Sequence, residues 1–354
     1  MSKLLNDGTG SGSPVISIIT PSFNRASIVR ETAESIFRQN YPHWEWVIVD
    51  DGSTDNSWEV LNEFAAADSR VKIFKRHRAP KGACTCRNIA VENSTGDYLV
   101  FLDTDDLLAP WCLQQRIDAV KQDPGYDFLI FPMLLFRKKP DDMRVLWNVE
   151  NGEDDLHRIL VGDPICQGTG TIWKKNSFVK AGMWREDLHL WQDIELHIRA
   201  LLEGYTYKKR LDLLPDIFLR ISEVSLSRTS YNSLPKFQSR VLVLKYTVQT
   251  LHSQQRLAQY KPGLRYMAAN LLSRAIECDY YEEADDVLRF CVAHDIFGDS
   301  ERRFFTNYLK ARKFRLMKIP LFKQLLGRRF KSLVPELKPQ LGTVPYNEPV
   351  NLAR

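Results

Sequence analysis

The sequence has no apolar run approaching the ~20 residues that a membrane-crossing helix needs, so none is expected. Its six cysteines (Cys84, Cys86, Cys112, Cys166, Cys278, Cys291) include no C-x-x-C pair and no nearby histidine spacing. That argues against a zinc site and fits a reducing cytosol. A signal peptide is missing too: residues 1–13 are polar and Gly/Ser-rich, and read as a disordered leader. Residues 302–335 contain no acid, although the net charge of the whole chain is only +5. Hydrophobic and charged fractions are ordinary for a soluble globular protein. At 354 residues there is room for one large α/β domain and a smaller second unit.

What is present is organised around Tyr98-Leu-Val-Phe-Leu-Asp-Thr-Asp-Asp106. A strand without a polar face is buried on both sides, as in a parallel sheet covered by helices. It runs straight into Asp103, Asp105 and Asp106. Carboxylates this close repel one another unless a cation or solvent neutralises them. Hard oxygens at a strand end suit Mg²⁺ or Mn²⁺ bridging to phosphates. The alternative is an acidic turn in which Asp106 caps a following helix.

Upstream, Val15–Thr20 reads as a buried strand stopped by Pro21, and 26–40 as a helix with Val29, Ala33, Ile36 and Phe37 on one face. A second strand, Trp44–Val49, enters Asp50-Asp51-Gly52-Ser53, with Asp55 placed to cap the next helix. Val71–Lys75 is a third strand, and Lys81-Gly82 opens a further helix. The β-α-β-α-β-α-β pattern predicts a doubly wound parallel sheet. Two of its strands end in acidic turns on one rim, where open α/β sheets bind ligands. Downstream, the spacing predicts a helix over 110–121, a strand over 126–131, weak patterning over 132–165, helices over 175–181 and 193–202, and strands over 205–214 and 216–222.

Several motifs resemble the inverting family-2 glycosyltransferases of GT-A fold, over residues 15 to about 228. They are Val15-Ile-Ser-Ile-Ile-Thr-Pro-Ser-Phe-Asn-Arg25, Val49-Asp-Asp-Gly-Ser-Thr-Asp55, Lys81-Gly82 with Arg87-Asn88, Gly96-Asp97-Tyr98 and Phe101-Leu-Asp-Thr-Asp-Asp106. The resemblance implies that Pro21 and Asn24 border the nucleotide and that Asp51 accepts from the uracil imide. It sets Lys81 and Arg87 at the nucleotide and its phosphates. Asp103, Asp105 and Asp106 form the DxD-type cluster, with Asp105 and Asp106 nearest the Mn²⁺ or Mg²⁺ ion. Asp193 is implied as catalytic base, although the family's Glu-Asp pair is here Gln192-Asp193. Ser222 stands where a histidine is frequent, with Arg220 and Ser225-Leu-Ser227 retained. The absence of Gln-x-x-Arg-Trp points to single-sugar transfer rather than processive synthesis.

The expectation is therefore a GT-A domain over 14–230, a helical region over 231–335 and an irregular tail over 336–354. The donor would be a nucleoside-diphosphate sugar, UDP-linked by preference, and the acceptor a saccharide or lipid-linked glycan. Trp184, His189 and Trp191 suit either an acceptor platform or core packing. The basic and apolar residues of 302–335 suit an interfacial segment on an anionic membrane surface or a basic helical pair packed on the domain. Nucleic acid is the least favoured partner. The expected location is cytoplasmic, peripheral on the inner face of the membrane. The competing reading is a sugar-nucleotide-binding protein of the same fold that has lost catalysis, with Gln192 and Ser222 as its motive.

Overall fold

A computed structural model describes residues 12–221, 231–314, 316, 324, 328, 343–348 and 350. The leader through residue 11, Ser222, the Ser225–Ser227 frame and most of 315–342 lie outside the described residues. The chain opens with β1 (Ile16–Ser22), α1 (Val29–Phe37), β2 (Trp44–Asp50), α2 (Ser57–Ala67), β3 (Val71–Lys75), α3 (Ala83–Glu92) and β4 (Tyr98–Phe101). It continues through β5 (Leu107–Leu108), α4 (Cys112–Gln122), β6 (Phe128–Ile130), β7 (Met133–Phe136), β8 (Val145–Trp147) and α5 (Asp155–Leu160). After a 3₁₀ turn (Gly168–Gly170) come β9 (Thr171–Lys174), α6 (Lys175–Lys180), α7 (Gln192–Leu202), β10 (Tyr207–Lys209) and β11 (Ile217–Arg220). The rest is α8 (Leu234–Ser253), α9 (Leu257–Glu277), α10 (Tyr281–Ala293), α11 (Asp299–Lys313) and β12 (Val344–Pro345).

Seven strands form the main sheet in the order β10-β6-β9-β4-β1-β2-β3. β1 runs parallel to β2 and β4, and β2 parallel to β3, so their carboxyl ends share one rim. β9 is antiparallel to both its neighbours. Every residue of β2 is buried, which explains its unbroken apolar run. Gly96, just before β4, has to be glycine. A Cβ there would lie 2.5 Å from Ser17 Oγ and 2.7 Å from the Val15 carbonyl oxygen.

The structure departs from the expected elements in four places. Pro21 does not stop β1, which pairs on through Pro21 and Ser22 with β2. By then β4 has ended its pairing, so the missing N–H is lost from a strand end rather than a full ladder. No helix follows Asp106; β5 does, and it joins a second sheet in the order β12-β8-β7-β11-β5. That sheet gathers its short strands from the weakly patterned stretch and from the tail, where Val344–Pro345 pairs with β8. Finally, within the expected helical region, α9 carries Pro262 inside it, a residue that ordinarily breaks a helix.

One continuous apolar core runs from Ile16 in β1 to Leu309 in α11. Phe304 and Phe305, two of the apolar residues of 302–335, are buried in it, whereas Phe314 is 70% exposed. At the join of the two sheets, Arg116 of α4 is completely buried against Asp216. Its Nε and Nη2 donate to the two carboxylate oxygens at 2.9 Å each, and Nη1 donates to the carbonyls of Thr169 (3.1 Å) and Thr171 (2.9 Å). Removing one partner of such a pair strands the other charge in the core. Asp216→Ala is therefore expected to destabilise the fold by about 3–5 kcal/mol in urea unfolding; a loss under about 1 kcal/mol would contradict this account.

Candidate active site

The two acidic turns emerge side by side on the rim, and the first divides its labour. Asp50 does the turn-forming work, accepting from the backbone N–H groups of Gly52 and Ser53 at 3.0 Å each. That leaves Asp51 turned toward a cavity, where Arg76 Nε donates to its Oδ1 at 2.5 Å. The cavity has a volume of about 550 Å³. Pro21, Asp51 and Lys81 line it from the β1–β3 side, with the Lys81 ammonium 3.8 Å from the centre of the Phe23 ring. Gly82 holds φ +150°, a conformation that suits glycine as the loop enters α3.

Arg87 of α3 sits at the centre. Its guanidinium donates to Asp103 Oδ1 at 2.6 Å and to Gln192 Oε1 at 3.4 Å, and lies over Trp184 at 4.9 Å. The acidic loop is fixed from its other end by Arg220, which ends β11. Its backbone N–H donates to Asp106 Oδ1 at 2.9 Å, and its Nε donates to the Asp105 carbonyl at 2.8 Å. Thr32 Oγ1 adds hydrogen bonds to the Thr104 and Asp106 carbonyls at 3.0 Å. Burial, then the neighbouring Asp103 charge, raises the Asp105 pKa, with Arg25 4.0 Å away as a partial counter-charge. Burial, then Asp105 and Asp103, pushes Asp106 well above the usual carboxylate range.

Asp193, in the first turn of α7, lines the same cavity. Its Oδ1 accepts from the Ile194 N–H at 2.9 Å, and burial raises its pKa. Trp191, just before α7, adopts a left-handed φ of 63°, a strained conformation for a bulky residue and one that clusters at functional sites. Trp184 is chiefly core: it is 3% exposed and packs edge-on against Phe101 at 5.0 Å, although it also lines the cavity. Trp191 and His189 line the cavity more openly, and the His189 N–H donates to Ser239 Oγ of α8 at 2.8 Å.

The cavity thus gathers Pro21, Asp51, Lys81, Arg87, Asp103, Asp105 and Asp193. It does not gather the side chains of Asn24 and Asp106. Asn24 has a left-handed φ of 51° and spends its carboxamide on Thr54, accepting from the Thr54 N–H at 2.8 Å. It ties two rim loops together instead of facing the cavity. Asp106 is 6% exposed, with Oδ1 committed to Arg220. Sequence reasoning missed Glu186, Gln167 and Lys236, all of which line the cavity. Burial opposes ionisation of Glu186, but hydrogen bonds from Arg78 and Asn88 hold its pKa below the usual value. Its only signal in the sequence was its place among aromatic residues just before the candidate base.

Residues 17–181 match the family model described as "Glycosyl transferase family 2". That stretch belongs to glycosyl transferase family 2. Outside it, the chain contributes Asp193 and Lys236 to the cavity. It is 40% identical over 109 residues to the putative teichuronic acid biosynthesis glycosyltransferase TuaG of Bacillus subtilis, covering 31% of this chain and 43% of that one. It is 38% identical over 106 residues to the UDP-Glc:alpha-D-GlcNAc-diphosphoundecaprenol beta-1,3-glucosyltransferase WfgD of Escherichia coli, covering 30% and 41%. The matches therefore span under half the length of either relative. Among solved structures, S. aureus TarS 1-349 in complex with UDP-GlcNAc aligns over 83% of this chain and 91% of its own, with a TM-score of 0.58 at 17% identity. The shared fold is GT-A.

Among the described residues no group of three or more His, Cys, Asp or Glu side chains is gathered closely enough to hold a metal unaided. The acidic loop nevertheless fits a divalent ion that takes one or two carboxylates and completes its shell with substrate phosphates. Burial first, and then repulsion among the three acids, raises Asp105 and Asp106, and that second contribution is the negative excess such an ion neutralises. Without it, the raised folded-state pKa of Asp106 has a thermodynamic signature. The folded chain keeps this proton at pH values where the unfolded chain has lost it. Stability therefore falls as pH rises from the unfolded value of about 4 through the folded one. Asp106→Asn keeps an oxygen for the Arg220 N–H and removes that loss. Its metal-free melting temperature is expected above the wild type's at pH 7, with the gap closing toward pH 4; no gain at pH 7 contradicts the assignment.

Proposed function

We propose that this chain is an inverting glycosyltransferase. It moves one sugar from a nucleoside-diphosphate sugar, UDP-linked by preference, to a hydroxyl of a saccharide or lipid-linked glycan, in the synthesis of cell-surface polysaccharide or glycoconjugate. The observation that carries the proposal is that Asp193 lines the same cavity as Asp51 and Asp105. Family membership of residues 17–181 supports the reaction class. The name of WfgD, with a UDP-Glc donor and a diphosphoundecaprenol-linked acceptor, supports the substrate classes, as does the UDP-GlcNAc complex of TarS.

In this reading Asp51 accepts from the imide N–H of the base, and Arg76 keeps its carboxylate aimed into the cavity. Lys81 and Arg25 face the negative charge that grows on the diphosphate as the glycosidic bond breaks. Asp105 would hold Mn²⁺ or Mg²⁺ from the cavity wall, with Asp106 behind it on the Arg220 N–H, and the ion when bound would supply Lewis-acid stabilisation of the leaving group. Asp193 takes the proton of the acceptor hydroxyl. Its raised pKa makes it a stronger base than an exposed carboxylate. Attack from the Asp193 side, opposite the leaving diphosphate, inverts C1. Gln192 lies within reach of Arg87 through its amide oxygen, so an acid at that position is not needed to orient the guanidinium. The alternative of a binding protein without catalysis rests on Gln192 and Ser222 alone, and the retained base disfavours it.

Asp193→Asn is expected to lower transfer by about 10²–10⁴-fold while leaving UDP affinity intact in calorimetry; unchanged turnover would remove Asp193 from the mechanism. In the same titrations Asp105→Ala should weaken donor binding with Mn²⁺ present. Equal wild-type affinity with and without chelator would count against the metal assignment.

Among the described residues no helix is long and apolar enough to cross a membrane. A cytoplasmic, peripheral location is proposed, with Phe314 and the acid-free stretch around it meeting an anionic surface. Cosedimentation with phosphatidylglycerol vesicles that weakens from 50 to 500 mM salt is expected; no binding at either salt would sink this part.

A further inference from the structure

A second cavity, of about 390 Å³, lies along one face of α4, between the end of α1 and the loop 210–214. It shares no lining residue with the first. Its volume falls in the lower part of the range for small-ligand sites. Its chemistry is unlike that of the active site, because its polar groups are chiefly carboxamides: Asn40, Gln114, Gln115 and Gln122.

Three of these amides are anchored at one end and left with hydrogen-bonding capacity at the other. Gln114 donates through Nε2 to Asp118 at 3.0 Å, which leaves its Oε1. Gln115 donates through Nε2 to the Leu214 carbonyl at 2.9 Å, which leaves its Oε1 as well. Gln122 accepts from Arg210 Nη1 at 3.0 Å through Oε1, which leaves its amide N–H groups. Asn40 has no side-chain hydrogen bond among the described residues. The indole N–H of Trp111 is buried in the wall without an acceptor among them. Trp111, Leu213 and Leu214 provide the apolar surface.

Charge narrows the class of ligand. Arg210 is already paired with Asp123 and Asp212, at 3.1 Å each. Asp118 is the remaining charge, and it is negative. Nothing here draws a phosphate or a carboxylate. Tethered amides that present donors on one side and acceptors on another match vicinal hydroxyls, and an apolar wall matches the C–H face of a pyranose. Fixing each amide in advance removes part of the ordering that binding would otherwise require.

We propose that this cavity is a second saccharide-binding site, selective for an uncharged glycan and independent of the catalytic reading. The test is calorimetry on the full chain with UDP and Mn²⁺ present, so that the active site is occupied. The probes are maltohexaose, laminarihexaose, cellohexaose and chitohexaose, with hexagalacturonate as the anionic control. At least one neutral hexasaccharide should bind with Kd below 10 mM and more tightly than the control. Asn40→Ala/Gln114→Ala should weaken that binding at least fivefold with UDP affinity unchanged. Gln122→Ala, at the exposed end of α4, should weaken it likewise and serves if the double variant melts lower. No neutral probe binding below 10 mM, a preference for the anionic control, or binding weakened less than fivefold by these variants would overturn the proposal.

Discussion

The buried pair between Arg116 and Asp216 is the constraint on which the rest of the molecule depends. It holds α4, the entry to β11 and the backbone around the 3₁₀ turn in one hydrogen-bonded set. Those three pieces come from places about fifty residues apart in the chain, and two of them lead to the cavity. β11 delivers Arg220 to the acidic loop, and the 3₁₀ turn forms a wall of the cavity. A desolvated ion pair is a poor source of net stability, but it is demanding about geometry. Here that demand fixes how the second sheet sits beside the first.

A second constraint is electrostatic. Asp51, Asp103, Asp105, Asp106 and Asp193 crowd one end of the sheet, and the chain keeps them in place with arginines drawn from different elements. Arg76 holds Asp51, Arg87 holds Asp103, and Arg220 holds the backbone of Asp105 and the carboxylate of Asp106. The acids are thus ordered before any substrate arrives, which is the condition for electrostatic stabilisation without reorganisation. Asp193 differs in that its orientation comes from the turn at Trp191 and the start of α7.

Much of this could be read from the residues. The four early strands and their helices follow from apolar periodicity, and their parallel order put both acidic turns on one rim. The direction of individual side chains could not be read. Asp50 and Asp51 are chemically identical in the sequence; which one forms the turn is settled by Gly52 and Ser53. Asn24 looked like a rim residue and is one, but its amide goes to Thr54. Of the second sheet only β11 was legible, within the strand expected over 216–222, because strands of two to four residues carry no usable period and their pairing is non-local. Lys236 was hidden for another reason: it lies in a region that the motifs do not cover, and only the packing of α8 beside α7 brings it to the cavity.

The pairing of Val344–Pro345 with β8 has a practical consequence. β8 borders β7 on its other side, so the tail strand is what keeps β8 from being the margin of its sheet. Shortening the chain ahead of Val344 would bare a row of unpaired amides and carbonyls, the kind of template on which foreign strands add and proteins clump. A solubility tag placed there would have to leave that short strand intact.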